Sequence, residues 1–272
     1  MSDQQPRPEI APTIQDISEV VRKALARTPA RLLVGRAGPA YRTATWLKLR
    51  EDHAFARDAV YTELDLQRDF GPEFVREFGL FMVQTEADSK AEFLIRPDLG
   101  RRLSEEARKT ISDDCLPKAE IQVVIGDGLS ATAVTRQVPE LLQLLKQEAA
   151  VRGWKFGQPF VVRYCRVGVL NDVGELLTPQ IVILLIGERP GLATAESLSA
   201  YLAYRPAPGD TDANRNLISN IHKQGATMPE AAQRIVALAA QMMAAKASGV
   251  AIKEAFQPAA KIIADVRQIE ET

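Results

Sequence analysis

The spacing of apolar positions changes near residue 118. Upstream, Ile14, Ile17, Val21, Ala24 and Leu25 recur at helical spacing and stop at Thr28-Pro29, which predicts a short amphipathic helix behind a polar, proline-bearing flexible tail over residues 1–13. A glycine and proline turn in "VGRAGPAYR" then leads into a longer helix that carries Leu47, Ala54 and Val60, with Thr43 as its cap. A short helix over residues 73–78, a strand-like "LFMVQ" and a helix after "RPDLGRRLSEEARKTI" complete a mostly helical N-terminal region. Downstream, apolar runs of strand length alternate with glycine-rich turns and helices, the pattern of an α/β domain.

Four strands are predicted in that second region. "EIQVVIGDG" reads as a strand closed by the turn Gly126-Asp127-Gly128, followed by a helix over residues 130–151; "PFVVRYCRV", "QIVILLIG" and "SAYLAYRP" give three more. A last helix is expected to start in a capping box of Thr227 and Glu230 around Pro229, and to stop at a left-handed Gly249. The expected organisation is a tail and amphipathic helix over residues 1–27 and a mostly helical domain over 28–112. A Rossmann-like domain over 113–250 and a helical extension over 251–272, with Ile262, Ile263, Val266 and Ile269 at helical spacing, complete it. The fold class predicted is therefore α/β, with a Rossmann-like C-terminal domain.

Composition narrows the possible functions. A chain of 272 residues, 46% of them hydrophobic, can bury a substantial core. Thirty-four basic against thirty-five acidic residues leave no global field for polyphosphate, which argues against nucleic acid as a partner. Residues 27–60 hold a local basic excess, seven Lys and Arg against three Asp and Glu, which fits either a solvated helix face or part of a protein interface. Cys115 and Cys165 stand far apart and suggest a reducing, cytoplasmic setting, without a disulfide framework. No run approaches the length of a membrane span, and His53 and His222 lack the neighbours of a zinc site.

In an open α/β sheet, ligands sit at the carboxyl ends of the strands. "GDGLSAT", "CRVGVLND", "GERPG" and "ANRNLISNIHKQG" are the four stretches expected to meet there. Gly126-Asp127-Gly128 with Ser130 and Thr132 fits a phosphate cradle or simply a turn with a capped helix. A stand-alone nucleotide-binding enzyme would rely on Glu188, as an acid oriented by Arg189, or on His222, as a base, but no nucleophile, base and metal set stands out. Cys165 follows an apolar strand and reads as buried and inert.

Six ordered stretches resemble the light (small) chain family of ethanolamine ammonia-lyase. They are "VGRAGPAYRTATWLKLREDHAFARDAV", "RPDLGRRL", "VVIGDGLSATAV", "VRYCRVGVLNDVGELL", "VILLIGERPGLATAESLSAYLAY" and "RNLISNIHKQG", spread over roughly residues 28–250. The resemblance implies a hetero-oligomer, of six heavy and six light chains in relatives, that uses adenosylcobalamin to convert ethanolamine to acetaldehyde and ammonia by a radical route. It implies that the heavy chain carries the catalytic groups and that this chain, with no catalytic residue and no metal ligand of its own, closes over the corrin. The family's corrin contacts fall on Val167, Glu188 and Leu217. The first two match, whereas Leu217 replaces a small residue, often cysteine, which leaves side-chain or backbone contact open there. No D-x-H-x-x-G stretch is present, since Glu51 and Ala56 flank His53 at the Asp and Gly positions, in keeping with a cofactor that retains its own lower base. In relatives a longer leader directs the enzyme into a bacterial microcompartment, so the expected location is the cytoplasm, inside such a compartment or free.

Overall fold

A computed structural model describes residues 19–26, 36–191 and 194–255. These divide into two compact units, Met1–Asp52 and His53–Thr272. The first holds helix α1 (Glu19–Ala26) and a two-stranded antiparallel ribbon of β1 (Arg36–Ala37) and β2 (Ala40–Tyr41). Helix α2 (Thr43–Tyr61) spans the boundary between the units and buries none of its residues. The tail over residues 1–13, the start of the amphipathic helix and residues 256–272 of the expected helical extension lie outside the described residues.

The second unit is a mixed α/β structure. Helices α3 (Leu66–Phe70) and α4 (Pro72–Phe78) precede β3 (Met82–Gln84), followed by α5 (Lys90–Ile95) and α6 (Glu105–Asp114). Then come β4 (Ile121–Asp127), α7 (Ala131–Val151), β5 (Phe160–Arg163), α8 (Val169–Leu177), β6 (Ile181–Gly187), β7 (Leu198–Tyr204), β8 (Asn216–Ile221) and α9 (Met228–Ala245). The six strands form one sheet in the order β3-β5-β4-β6-β7-β8. The first four in that order are parallel, β7 runs antiparallel to β6, and β8 antiparallel to β7.

Central strands β4 and β6 are buried along their whole length, which explains their unbroken apolar runs: with helices on both faces there is no wet side for a polar residue to occupy. Ile121, Val123, Ile125, Ile183 and Leu185 point to a core shared with α7, α9 and the α3–α4 segment, while Val124, Val182, Leu184 and Val162 point to a second core under α6 and α8. Each such side chain contributes about 1.5–3 kcal/mol on leaving water. Gly187 ends β6 because an added Cβ would run into the carbonyl of Ser130. That glycine allows the strand end to pack directly on the start of α7.

Three local expectations are corrected. Gly126 and Asp127 are strand residues and not a turn, so α7 begins with Ser130, whose Oγ accepts from Ala133 N at 3.1 Å. Thr227 makes no side-chain cap to α9; Pro229 supplies the fixed start, and Glu230 lies instead 3.7 Å from Arg234. The left-handed stop of α9 is Lys246 (φ 50°), and Gly249 opens a separate 3₁₀ turn. Residues after that turn are not helical up to residue 255; Arg234 clasps Glu254 through two hydrogen bonds of 2.7 and 2.9 Å.

Both cysteines are buried, Cys115 at the end of α6 and Cys165 just past β5. Burial pushes the Cys115 thiol up to about 12 and raises that of Cys165 as well, so neither offers a thiolate at neutral pH. A chromogenic disulfide reagent at about pH 8 should therefore find no fast-reacting thiol in the native chain and both thiols after denaturation. A rapid native reaction at either cysteine would contradict this packing.

Candidate functional site

The helix cover of the sheet is incomplete. On the face under α6 and α8 the buried core reaches Ala203 of β7 and includes no residue of β8. Tyr201 is left half-buried at its margin and Leu217, its partner across the β7–β8 pair, is 46% exposed. Glu188 emerges on this same side at the end of β6. Its Oε1 accepts from Ser199 Oγ at 2.9 Å and from Asn220 N at 2.8 Å, tying the ends of β6, β7 and β8 together. Its second oxygen takes no hydrogen bond from the described residues. Burial, then the charges of Asp212 and Glu188, raise the Tyr201 hydroxyl above its ordinary value.

Val167, in the turn between β5 and α8, lines a hollow of about 940 Å³ that Tyr201 and Arg189 also border. The chain folds this way because β7 reverses direction, so the segment over residues 205–215 starts from the far edge of the sheet and returns along α8. Gly174 of α8 lets it come close, since a Cβ there would overlap the Pro206 carbonyl. Asn171 Nδ2 donates to Asp210 O at 2.9 Å, and Arg215 donates to Asn171 Oδ1 at 3.0 Å and Asp212 Oδ1 at 2.7 Å. Val167 thus lines the hollow from the turn before α8, while Glu188 at the end of β6 and Leu217 within β8 lie on the same side of the sheet. Of the four stretches expected at the carboxyl edge, the first three lie there. The fourth is divided: residues 213–215 lie toward the opposite edge, and only residues 220–222 return to the level of Gly187.

His222 is buried and spends both ring nitrogens on its own turn, Nε2 against Asn220 Oδ1 at 2.7 Å and Nδ1 accepting from Gln224 N at 3.3 Å. Such a ring holds the β8–α9 turn in place and has no nitrogen left for a substrate. A different pair, Lys90 and Asp127, leaves no signal in the sequence because its members lie 37 residues apart. Asp127, at the end of β4, is fully buried beside Lys90 of α5 at 3.4 Å; Lys90 also donates to Gly128 O at 2.8 Å, and Asp127 accepts from Leu64 N at 3.2 Å. Burial raises the Asp127 carboxyl, and Lys90 acts against that rise. Nearby, Tyr164 donates to Glu63 at 3.1 Å and the Arg166 guanidinium lies 4.3 Å from the centre of the Phe93 ring. Among the described residues no group of His, Cys, Asp and Glu could hold a metal ion, and no helix is long and apolar enough to cross a membrane.

Fold and site together describe a mixed α/β protein whose sheet is left open on one face beside an arginine-rich hollow. The chain belongs to the ethanolamine ammonia-lyase light chain family, whose description matches residues 18–253. It is 43% identical over 228 residues to the ethanolamine ammonia-lyase small subunit of Clostridium perfringens, covering 84% of this chain and 75% of that one. It is 41% identical over 256 residues to the small subunit of Clostridioides difficile (88% and 85% covered) and 40% identical over 241 residues to that of Clostridium acetobutylicum (88% and 97% covered).

The buried pair gives a direct test of what holds the carboxyl end of β4 to α5 and the Leu64 segment. Lys90→Met strands a carboxylate away from water and should lower stability by about 3–5 kcal/mol in urea melts, with Asp127→Asn added to it restoring much of the loss. An acid whose folded pKa is raised makes the native state the better proton binder, so stability falls as pH climbs from the ordinary carboxylate range through the folded value. The Lys90→Met deficit should accordingly shrink on acidification. A deficit under about 1 kcal/mol that ignores pH would show that the pair does not support the fold.

Proposed function

We propose that this chain serves as the light subunit of an adenosylcobalamin-dependent ethanolamine ammonia-lyase, laying its open sheet face over the corrin where it meets a catalytic heavy subunit. The complex converts ethanolamine to acetaldehyde and ammonia, and the bound cofactor supplies the radical chemistry. The Rossmann-like region over residues 113–250 is the part that holds the cofactor. One observation supports the reading: of the positions at which the family resemblance puts corrin contacts, Glu188 and Leu217 lie on the bare side of the β6–β8 part of the sheet and Val167 lines the hollow bordered by Tyr201 of β7.

The donor and acceptor set fits such a ligand. A corrin is a broad, mostly apolar disc rimmed with amide side chains. Leu217, Tyr201 and Val167 offer an apolar surface, and the free oxygen of Glu188 can accept from an amide NH2. Ser199 and Asn220 fix the carboxylate through its other oxygen, so it is oriented before the ligand arrives. A radical must also be kept from water, which favours a cofactor enclosed between two protein surfaces. Helix α2 suits the partner contact: Trp46, Leu47 and Phe55 are all exposed, and Arg50 stacks on Trp46 at 4.8 Å. Residues 36–57, basic and aromatic together, form part of the heavy-chain interface.

Two measurements follow. In the complex assembled with a heavy chain, Glu188→Ala should weaken cobalamin binding by about 1–3 kcal/mol in equilibrium titrations while leaving assembly intact; unchanged affinity would remove Glu188 from the site. Phe55→Asp should weaken assembly by about 1–3 kcal/mol, seen by sedimentation, without changing the melting of the light chain. Assembly that is indifferent to this charge would place the heavy chain elsewhere.

A further inference from the structure

We propose that Arg101, Arg166 and Arg189, backed by Arg215, form a binding site for a phosphate-class anion in the hollow beside Val167. Two acids of that hollow are committed to Arg108, which holds Glu175 at 2.7 Å and Asp172 at 3.5 Å, with Asp172 also accepting from Leu103 N; Asp212 pairs with Arg215 itself at 2.7 Å and so offsets the charge of that backing residue only. Asp210 accepts from Ala207 N at 2.9 Å, and Glu86 and Glu105 stand exposed on the β3 and α6 side. Arg101, Arg166 and Arg189, by contrast, form no ion pair among the described residues.

Two of the four guanidiniums also carry an unused donor. The Nε groups of Arg166 and Arg215 are buried and bond to nothing, although the Arg215 side chain is 95% covered and fixed by Asp212 and Asn171. Burial, followed by the nearby Arg189 and Arg101, lowers the Arg166 pKa; for Arg215, burial again lowers it most and Arg101 lowers it further. Like charges gathered in one hollow are unfavourable in isolation, and an anion with several oxygens held by their terminal nitrogens relieves that repulsion. A carboxylate offers two oxygens to such a set, whereas a phosphate or phosphodiester offers more and matches the planar forks of several arginines. The hollow, about 940 Å³, is far larger than one phosphate needs, so the anion belongs to a larger molecule or leaves most of the space to solvent.

This inference rests on the cofactor reading for its preferred source, the phosphodiester that joins the nucleotide tail of a cobalamin to the corrin; the other source is free inorganic phosphate. The test compares cobalamin with cobinamide, which keeps the corrin and lacks the phosphodiester, on the assembled heavy and light chains. The wild-type complex should bind cobalamin at least about tenfold more tightly than cobinamide. Arg189→Gln and Arg166→Gln should each narrow that gap and leave cobinamide binding unchanged. Arg189 is exposed, so its variant reports on the site without disturbing the fold. A gap that survives both substitutions, or an equal loss for the two corrinoids, overturns the proposal. If the wild type shows no gap, or binds neither corrinoid and so refutes the cofactor reading by itself, thermal shift with inorganic phosphate decides. Stabilisation lost in the two variants supports the site with free phosphate as its ligand, and no stabilisation of the wild type overturns it.

Discussion

The parallel pairing of β4 with β6 is the constraint from which the rest of this unit follows. Both strands are buried from end to end, so each face of the pair must be covered by helices, and the crossovers α7 and α8 supply one to each side. Close packing at the strand ends then fixes the turns. Gly187 abuts the Ser130 carbonyl, and Ser130 in turn donates to Ala195 O at 2.6 Å, which anchors the connection between β6 and β7. The direction of β7 is the second decisive feature. Once it runs antiparallel, no crossover helix is needed between β6, β7 and β8, and the face beneath them on the α8 side stays bare.

That bare face carries Glu188, Tyr201 and Leu217. A sheet with one apolar side left open is unstable against association unless something covers it, and the proposed occupant, a corrin pressed between two subunits, would cover it with a surface of the right character. In the proposed assembly the light chain would hold and shield the cofactor while the heavy chain carries the reaction. Nothing about Glu188 in its observed setting requires it to move a proton. Its carboxylate bridges three strand ends through one oxygen and leaves the other without a hydrogen bond among the described residues.

Much of the fold was legible in the residues, for physical reasons that also explain the failures. β4, β6 and α7 announce themselves because complete burial leaves an apolar run and a capped helix leaves Ser130 at its start. β8 is hidden. It lies at the sheet edge with one face wet, and a register shift against Leu198 and Ala200 sends Ile218 and Ile221 to the same side at a spacing of three, which no alternating pattern predicts. Strand direction has no periodicity at all, which is why the stretch before β8 was expected at the wrong edge. Glu188 stood out as a charge directly behind a buried strand, and Val167 and Leu217 came from the family resemblance. The Lys90–Asp127 pair joins residues 37 apart, and the four arginines come from four different connections. Only the folded chain brings those together.

The most direct measurement of the central claim is hydrogen exchange on the assembled heavy and light chains with and without adenosylcobalamin. If the open face receives the corrin, amides of residues 216–222 and those around Glu188 should gain protection when the cofactor binds, while the covered strands β4 and β5 stay unchanged. Cofactor binding that leaves residues 216–222 exchanging as before, with protection confined to the heavy chain or to other parts of this one, would contradict the account.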